Sequence, residues 1–266
     1  MFRIMKDPVK RIGLALGGGG ARGIAHIAYI KAMEEMGLRP DIISGTSSGA
    51  LVGALYAGGM KPDEIYNIVQ ELFGGKKNLR YVYKRVKLMS SVFISSAVRK
   101  YISGIMPGQR FEDLDIPLKV VATNFNTLEE RVFSNGDLID PLMGSIAYPR
   151  VFGPQQIGDG YYIDGGATNI VPFDIIRGDC DVLIAIDVSM SKPKEMKPSL
   201  RNSVHATWAA SQNALISVKL KSSPVEIFER PDFTNVSTMD FHKYRYVFER
   251  AEELAPDFKQ KLKMMI

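Results

Sequence analysis

Ser47 is the residue of this sequence best placed for nucleophilic chemistry, because it is the centre of Gly45-Thr46-Ser47-Ser48-Gly49. The apolar pair Ile42-Ile43 precedes this pentapeptide, and the small and apolar stretch 50–55 follows it. This layout predicts a strand, a tight turn and a helix, with a hydroxyl at the apex of the turn. Such a turn strains the backbone of the serine and leaves no space for side chains at the flanking glycines. A Gly-Ser-rich turn without any chemistry also matches the pentapeptide, so the assignment needs a second signal.

A glycine-rich loop provides that second signal upstream. Residues 17–23 read Gly-Gly-Gly-Gly-Ala-Arg-Gly, directly after a predicted strand over 12–16 and before a predicted helix over 24–36. Successive glycines leave backbone N–H groups unobstructed, and a helix N-terminus adds partial positive charge. The loop is therefore predicted to bind an anion, such as the oxyanion that forms when a hydroxyl attacks an ester.

The same loop contains Gly18-x-Gly20-x-x-Gly23, which also fits a dinucleotide-binding turn. That alternative expects an acidic residue at the end of the second strand, whereas Asp41 comes before Ile42-Ile43. A phosphate-binding P-loop would require Gly-Lys-Ser/Thr where this chain has Arg22-Gly23-Ile24. Nucleotide binding is disfavoured and stays open as an alternative function.

Asp164 stands before a glycine pair, in a block that begins at Gly158-Asp159-Gly160 and continues through Tyr161-Tyr162-Ile163. The block predicts a short strand pair that turns at residues 158–160 and ends in an accessible carboxylate. An aspartate before glycines is also common as a plain turn residue. The block alone does not decide between the two.

Taken together and in this order, the three motifs resemble the patatin-like phospholipase family. The likeness runs from about Ile12 to Ser189 and includes the segments 145–154 and 182–189. It implies a lipid acyl hydrolase in which Ser47 attacks an ester carbonyl to form an acyl-enzyme and Asp164 takes its proton as the second member of a Ser–Asp dyad. It implies an oxyanion hole at Gly18, Gly19, Gly20, Ala21 and Arg22, with Gly45 and Gly49 flanking the nucleophile.

The resemblance calls for no metal, no organic cofactor and no nucleic-acid partner. Its implied substrate is a lipid or other ester. A membrane-associated scaffold with weak esterase activity remains an alternative, although the intact Ser47 and Asp164 argue against it. For Arg22, a structural role in holding the loop is favoured, with its backbone N–H as an added donor.

Three histidines bear on the choice between a dyad and a triad. His26 is predicted to pack or hydrogen-bond beside the glycine loop. His205 and His242 follow Asp164 in the order Ser–Asp–His, so order alone leaves a triad open. A dyad needs an aspartate whose pKa lies above the ordinary value of about 3.9, because such a carboxylate is a stronger base. Burial beside Tyr161 and Tyr162 would raise the pKa of Asp164 in this way.

The remaining pattern predicts an α/β fold with a mainly parallel sheet covered by helices on both faces. Apolar runs at 12–16, 42–44, 117–123, 182–188 and 225–228 read as strands, with helices between most of them. We expect one hydrolase domain over 1–266, with a motif-bearing core at 12–189 and a C-terminal extension at 190–266. The uncharged stretch 42–60 is long enough to span a bilayer, but its Gly, Ser and Thr content favours a buried strand, turn and helix.

Charge is concentrated in one segment, because residues 74–111 contain nine Lys or Arg and no Asp or Glu in a chain of net charge +5. Apolar residues recur at three- and four-residue steps there, which predicts a basic amphipathic helix within 76–105. Its polar face carries Lys77, Arg80, Lys84 and Lys87. Two interpretations stay open, a peripheral contact with anionic membrane and an ordinary solvated helix.

The sequence also gives expectations for the cellular location of the protein and for its C-terminal region. The single cysteine, Cys180, fits a reducing cytoplasm, and residues 1–10 carry charges that do not suit a signal peptide. A helix over 244–254 is predicted to break near Pro256. The apolar residues beyond it could complete the core, cover the site or form a homodimer contact.

Overall fold

The computed structural model describes residues 10–74, 91–149, 151–189 and 199–265, without the side chains of 91–94, 200–202 and 204–205. Its strands are β1 (Ile12–Leu16), β2 (Ile42–Thr46), β3 (Leu118–Asn124), β4 (Glu130–Phe133), β5 (Gln155–Ile157), β6 (Gly160–Asp164), β7 (Val182–Ile186) and β8 (Ile227–Glu229). Its α-helices are α1 (Ala25–Glu34), α2 (Ser48–Ala57), α3 (Pro62–Phe73), α4 (Ser91–Ile105), α5 (Ile139–Ser145), α6 (Leu200–Ser222) and α7 (Tyr244–Met265).

The strands form one sheet in the order β5-β6-β3-β2-β1-β7-β8, with β4 paired to β3. The five strands from β3 to β8 in that order pair in parallel. At the other end of the sheet, β4 and β6 run antiparallel to β3, and β5 runs antiparallel to β6. The predicted α/β class with a mainly parallel sheet is confirmed, and so is the strand pair that turns at 158–160.

Helices cover both faces of this sheet, as the burial of β7 illustrates. Val182, Ile184 and Ile186 point into a core shared with α1, α2 and α7, whereas Leu183 and Ala185 belong to a second core with Ile216 of α6. Successive side chains of a strand point to opposite faces, so both faces of β7 are buried. Continuous apolar runs are the sequence pattern of parallel strands in this position, which is why β1, β2 and β7 were predictable.

The predicted break at Pro256 is wrong, because α7 continues through it to Met265. Proline removes one helical hydrogen bond and costs about 3 kcal/mol in a helix interior. The last turns of α7 bury Phe258 and Leu262 completely, and the ring of Phe258 packs edge-on against Tyr29 of α1 at a centroid distance of 5.0 Å. Phe258 and Leu262 therefore complete the core, which is one of the three roles expected for this region.

Residues 42–60 form β2, the turn and α2, as predicted. Within the described ranges, no helix combines the length and the apolarity needed to cross a bilayer. The basic segment is described only from residue 91, where α4 begins. Lys77, Arg80, Lys84 and Lys87 lie outside the described residues.

Candidate active site

Ser47 occupies a strained turn between β2 and α2. Its φ of 53° and ψ of −121° lie in a backbone region that non-glycine residues seldom adopt. The flanking glycines are crowded: a Cβ on Gly45 would lie 2.6 Å from Ala50 Cα, and one on Gly49 would lie 2.1 Å from the carbonyl oxygen of Leu16. The turn can therefore close only with glycine at both positions.

Asp164 meets Ser47 from the antiparallel side of the sheet, as the last residue of β6. The Ser47 hydroxyl donates a hydrogen bond of 2.8 Å to Asp164 Oδ2, and the Gly166 N–H donates one of 2.8 Å to Oδ1. The Asp164 side chain is almost fully buried, with 3% exposure. Burial raises the pKa of its carboxyl to about 6, although both hydrogen bonds act to lower it. The hydroxyl is thus paired with a carboxylate of raised basicity.

The end of α5 holds the backbones of both residues. The buried Ser145 hydroxyl oxygen accepts a 2.8 Å hydrogen bond from the Ser47 N–H. Two residues later, the carbonyl oxygen of Ala147 accepts one of 3.1 Å from the Asp164 N–H. One short segment therefore fixes Ser47 and Asp164 relative to each other. Sequence reasoning noted the segment 145–154 for its likeness only and assigned Ser145 no role.

The glycine loop lies directly beside this pair. A Cβ built on Gly18 would be 3.2 Å from Ser47 Cβ, so the loop passes next to Ser47. Three of the five predicted oxyanion donors already have acceptors: the N–H groups of Gly18, Ala21 and Arg22 bond to Ile170, Thr238 and Gly19 carbonyls at 2.8, 2.8 and 3.3 Å.

The other two predicted donors differ from these three. The Gly19 N–H donates to the Ser48 hydroxyl at 3.1 Å, which is a side-chain oxygen that can rotate away. The Gly20 N–H has no acceptor among the residues that the structure describes. Of the five predicted donors, only the N–H groups of Gly19 and Gly20 are therefore without a backbone acceptor in the described part of the chain.

Arg22 anchors the far end of the loop, in agreement with the structural role favoured from the sequence. Its guanidinium is buried and donates a 2.7 Å hydrogen bond to the carbonyl oxygen of Ser189, just beyond β7. The neighbouring Val188 carbonyl lies only 2.5 Å from where a Cβ of Gly19 would be. The segment after β7 thus braces the loop from behind.

Among the described side chains, neither His26 nor His242 hydrogen-bonds the Asp164 carboxylate. His26 is fully buried, and its Nε2 forms a 2.7 Å hydrogen bond with the carbonyl of Gly17, as predicted. Burial lowers the pKa of His26 to about 4, so this ring is neutral at pH 7. His242 lies in a short 3₁₀ helix and is exposed, and His205 lies on α6.

The structure gives the nucleotide alternative no support. The Asp41 carboxylate accepts a 2.7 Å hydrogen bond from the Ile12 N–H, at the amino-terminal end of β1. The glycine loop follows the opposite end of that strand. Across the part of the chain that is described, no group of His, Cys, Asp and Glu could hold a metal ion.

Comparison with known proteins agrees with this architecture. Lysophospholipase NTE1 of Kluyveromyces lactis is 28% identical over 94% of this chain, and human patatin-like phospholipase domain-containing protein 6 is 29% identical over 90%. The matched parts are only 19% of either relative, so this chain spans about a fifth of their length. VipD from Legionella pneumophila shares the fold, with a TM-score of 0.55 at 13% identity over 95% of this chain and 67% of VipD.

The profile of the patatin-like phospholipase family matches residues 14–177. This range contains the glycine loop, the Ser47 turn and Asp164, and it covers more than half of the chain. The protein therefore belongs to the patatin-like phospholipase family.

Proposed function

We propose that this protein is a serine acyl hydrolase that cleaves acyl esters of lipids through an acyl-enzyme on Ser47, with Asp164 as the only base. The 2.8 Å hydrogen bond from the Ser47 hydroxyl to Asp164 Oδ2 carries the proposal. Neither residue has a simpler structural explanation, because the serine is strained and the carboxylate is buried with no cation among its hydrogen-bond partners in the described part of the chain. Perturbed groups of this kind concentrate at active sites.

In the acylation step, Ser47 Oγ attacks the ester carbonyl carbon while its proton passes to Asp164 Oδ2. The carbonyl oxygen becomes an oxyanion, for which Gly19 and Gly20 present the nearest N–H groups without fixed backbone acceptors. Collapse of this intermediate breaks the ester bond, and the leaving alcohol takes the proton from Asp164. The raised pKa of Asp164 suits both directions of transfer, because the group accepts and releases a proton near neutral pH.

In the deacylation step, water attacks the acyl group on Ser47 and gives its proton to Asp164. The second tetrahedral intermediate then releases the fatty acid, and the proton returns to Ser47 Oγ. The hydrogen bonds that the Ser145 hydroxyl and the Ala147 carbonyl accept from the Ser47 and Asp164 N–H groups hold the two residues at one separation through both steps. This fixed geometry supports a mechanism without an imidazole.

Phospholipids and lysophospholipids are the substrates that we place first. The family is that of patatin-like phospholipases, and one relative is named a lysophospholipase. We also propose that 1–266 acts as one hydrolase domain, since all described strands share a sheet and α7 at the C-terminal end packs on α1.

The basic segment remains part of the proposal, with Lys77, Arg80, Lys84 and Lys87 as a peripheral contact for an anionic membrane surface at the cytoplasmic side. Its support is the charge of residues 74–111. Binding to anionic vesicles that weakens as salt rises is the expected result, and binding indifferent to salt would contradict it.

A soluble fluorophosphonate probe tests the central proposal. It should label the wild type at a single serine, and Ser47→Ala should not be labelled. Release of fatty acid from lysophosphatidylcholine should disappear in Ser47→Ala and in Asp164→Asn, while both variants keep the wild-type circular dichroism spectrum. An Asp164→Asn protein with wild-type turnover would show that another group serves as the base.

A further inference from the structure

Three large apolar side chains are exposed together at one edge of the sheet. Phe125, Leu128 and Tyr161 are 49%, 69% and 47% exposed. Phe125 and Tyr161 are direct cross-strand neighbours, because the Phe125 N–H donates a 2.8 Å hydrogen bond to the Tyr161 carbonyl. Leu128 lies across the same turn, at residues 124–129. We refer to these three residues as the apolar tip.

The apolar tip lies at the same end of the sheet as Ser47 and Asp164, beyond the carboxyl end of β3, but Tyr161 is three residues from Asp164 and its side chain points to the opposite face of β6. Asp164 is opposite Ala122, and Tyr162 is opposite Asn124, so β6 extends past the dyad toward the tip. Tyr161 precedes Asp164 by three residues, which at about 3.4 Å per residue puts the tip roughly 10 Å beyond the dyad. It therefore projects beyond the end of the sheet that carries Ser47 and Asp164.

The backbone N–H groups of the turn are all hydrogen-bonded within the protein. Each of the six N–H groups of residues 124–129 has an acceptor within the protein. The acceptors, in order, are the Glu129 carbonyl, the Tyr161 carbonyl, Asn124 Oδ1 twice, the Asn124 carbonyl and Thr127 Oγ1. The N–H groups of this turn therefore lose no hydrogen bond to water when the turn enters a medium that offers few hydrogen bonds.

The apolar tip differs from the basic segment in the charge of the residues around it. Residues 124–130 contain Glu129 and Glu130 but no Lys or Arg. The next cation along the chain, Arg131, lies over the ring of Phe133 at 5.7 Å. An anionic surface would gain nothing from this patch, whereas a neutral apolar one would bury it favourably.

Leu128 also has a φ of 61°, a conformation that glycine or asparagine adopts with less strain. An exposed leucine in this conformation stabilises neither the turn nor the core. Strain of this kind often marks a residue used for binding.

We propose that the apolar tip docks this protein on the uncharged part of a lipid interface, with Phe125 and Leu128 entering the acyl boundary and Tyr161 at headgroup level. The inference rests on the proposed lipid-ester function, because such substrates are packed in an interface. A second copy of the chain or a protein partner at the same patch is the competing occupant.

The test uses the full chain, and its principal variant is Phe125→Ser with Leu128→Asn. Asparagine suits the backbone at 128, so the variant should keep or raise the melting temperature. The matched control is Val218→Ser with Tyr246→Ser, which removes two exposed apolar side chains from α6 and α7. Sedimentation with phosphatidylcholine vesicles is measured at low and high salt, beside turnover of vesicle-borne and soluble esters.

The wild type and the control should bind neutral vesicles equally at both salt concentrations, and the tip variant should bind about tenfold or more weakly. Its ratio of vesicle to soluble ester turnover should fall in parallel. Equal binding of the tip variant, or wild-type binding that needs anionic lipid, overturns the proposal. So does a wild-type dimer that the tip variant converts to monomer. A wild type that binds neutral vesicles but cleaves no ester would instead refute the proposed function alone.

Discussion

The raised pKa of Asp164 allows the proposed base to be identified by pH alone. If the Asp164 carboxylate accepts the Ser47 proton, fluorophosphonate labelling should follow its ionised fraction, with a midpoint at about pH 6. About one tenth of the group is ionised one unit below its pKa, so labelling at pH 5 should be about a tenth of the plateau rate. Asp164→Asn should lower the plateau by at least about a hundredfold.

The same shift also predicts how stability depends on pH. The pKa is raised from 3.8 to about 6 by burial, which amounts to about 3 kcal/mol against the ionised form in the folded state. The stability that the neutral carboxyl gives the folded state is therefore fully present below pH 3.8 and is lost as the pH rises through 6. The free energy of unfolding of Asp164→Asn relative to wild type should therefore rise between pH 4 and pH 8 by up to about 3 kcal/mol.

Both effects can be measured with Asp164→Asn, two additional variants and one pair of assays. Labelling rates and urea unfolding are followed from pH 4 to pH 8 for the wild type, Asp164→Asn, His205→Asn and His242→Asn. The histidine variants should keep the midpoint near pH 6, because the proposal makes Asp164 the base, and its hydrogen-bond partners in the described part of the chain are Ser47 and Gly166. A midpoint lost in a histidine variant, or a stability difference that does not change with pH, would refute the assignment of Asp164 as a buried base.

Further variants test the parts that position the dyad. Ser145→Ala should slow labelling roughly ten- to a hundredfold through loss of the anchor on the nucleophile, whereas Ser44→Ala should lose similar stability, about 1–3 kcal/mol, without slowing it. Equal labelling rates would remove Ser145 from the mechanism. Gly20→Ala should strongly reduce labelling, because its Cβ would lie 2.2 Å from a backbone carbonyl oxygen, while Gly37→Ala, also at positive φ but with open space, should only strain its own turn. Similar labelling by both glycine variants would exclude crowding at the loop. Phe258→Ala should lower the free energy of unfolding by about 3–5 kcal/mol in urea, and a change under 1 kcal/mol would mean that the end of α7 is not core.

The parts of the fold set by local pattern were predictable from the sequence. Continuous apolar runs fixed the positions of β1, β2 and β7, because buried parallel strands have little else in their sequence. Gly45 and Gly49 marked the Ser47 turn, since each is required by a close backbone approach within a few residues or to the adjacent strand. The pairing of Ser47 with Asp164 could be predicted only from the family resemblance, since the two residues are 117 positions apart in the sequence.

Features that depend on tertiary packing were not predictable. A serine at the end of a helix is common, so the sequence around Ser145 gives no special signal. Only the position of α5 against the Ser47 turn brings its hydroxyl within hydrogen-bond distance of the Ser47 N–H. Strand β4 begins Glu130-Arg131 and lacks an apolar run, so its pairing with β3 left no sequence signal. Pro256 indicated a helix end, but the burial of Phe258 outweighs the lost hydrogen bond.

Ser47 follows β2 and Asp164 ends β6, two strands that run in opposite directions and pair with successive parts of the same side of β3, opposite β4. A slip of β6 by one residue would turn the Asp164 side chain to the other face and leave Ser47 without a base. Covalent modification by a serine probe therefore reports the alignment of this sheet edge as well as chemistry. During refolding, probe reactivity should emerge only after the long-range antiparallel pairing is complete, later than the signal from helix formation.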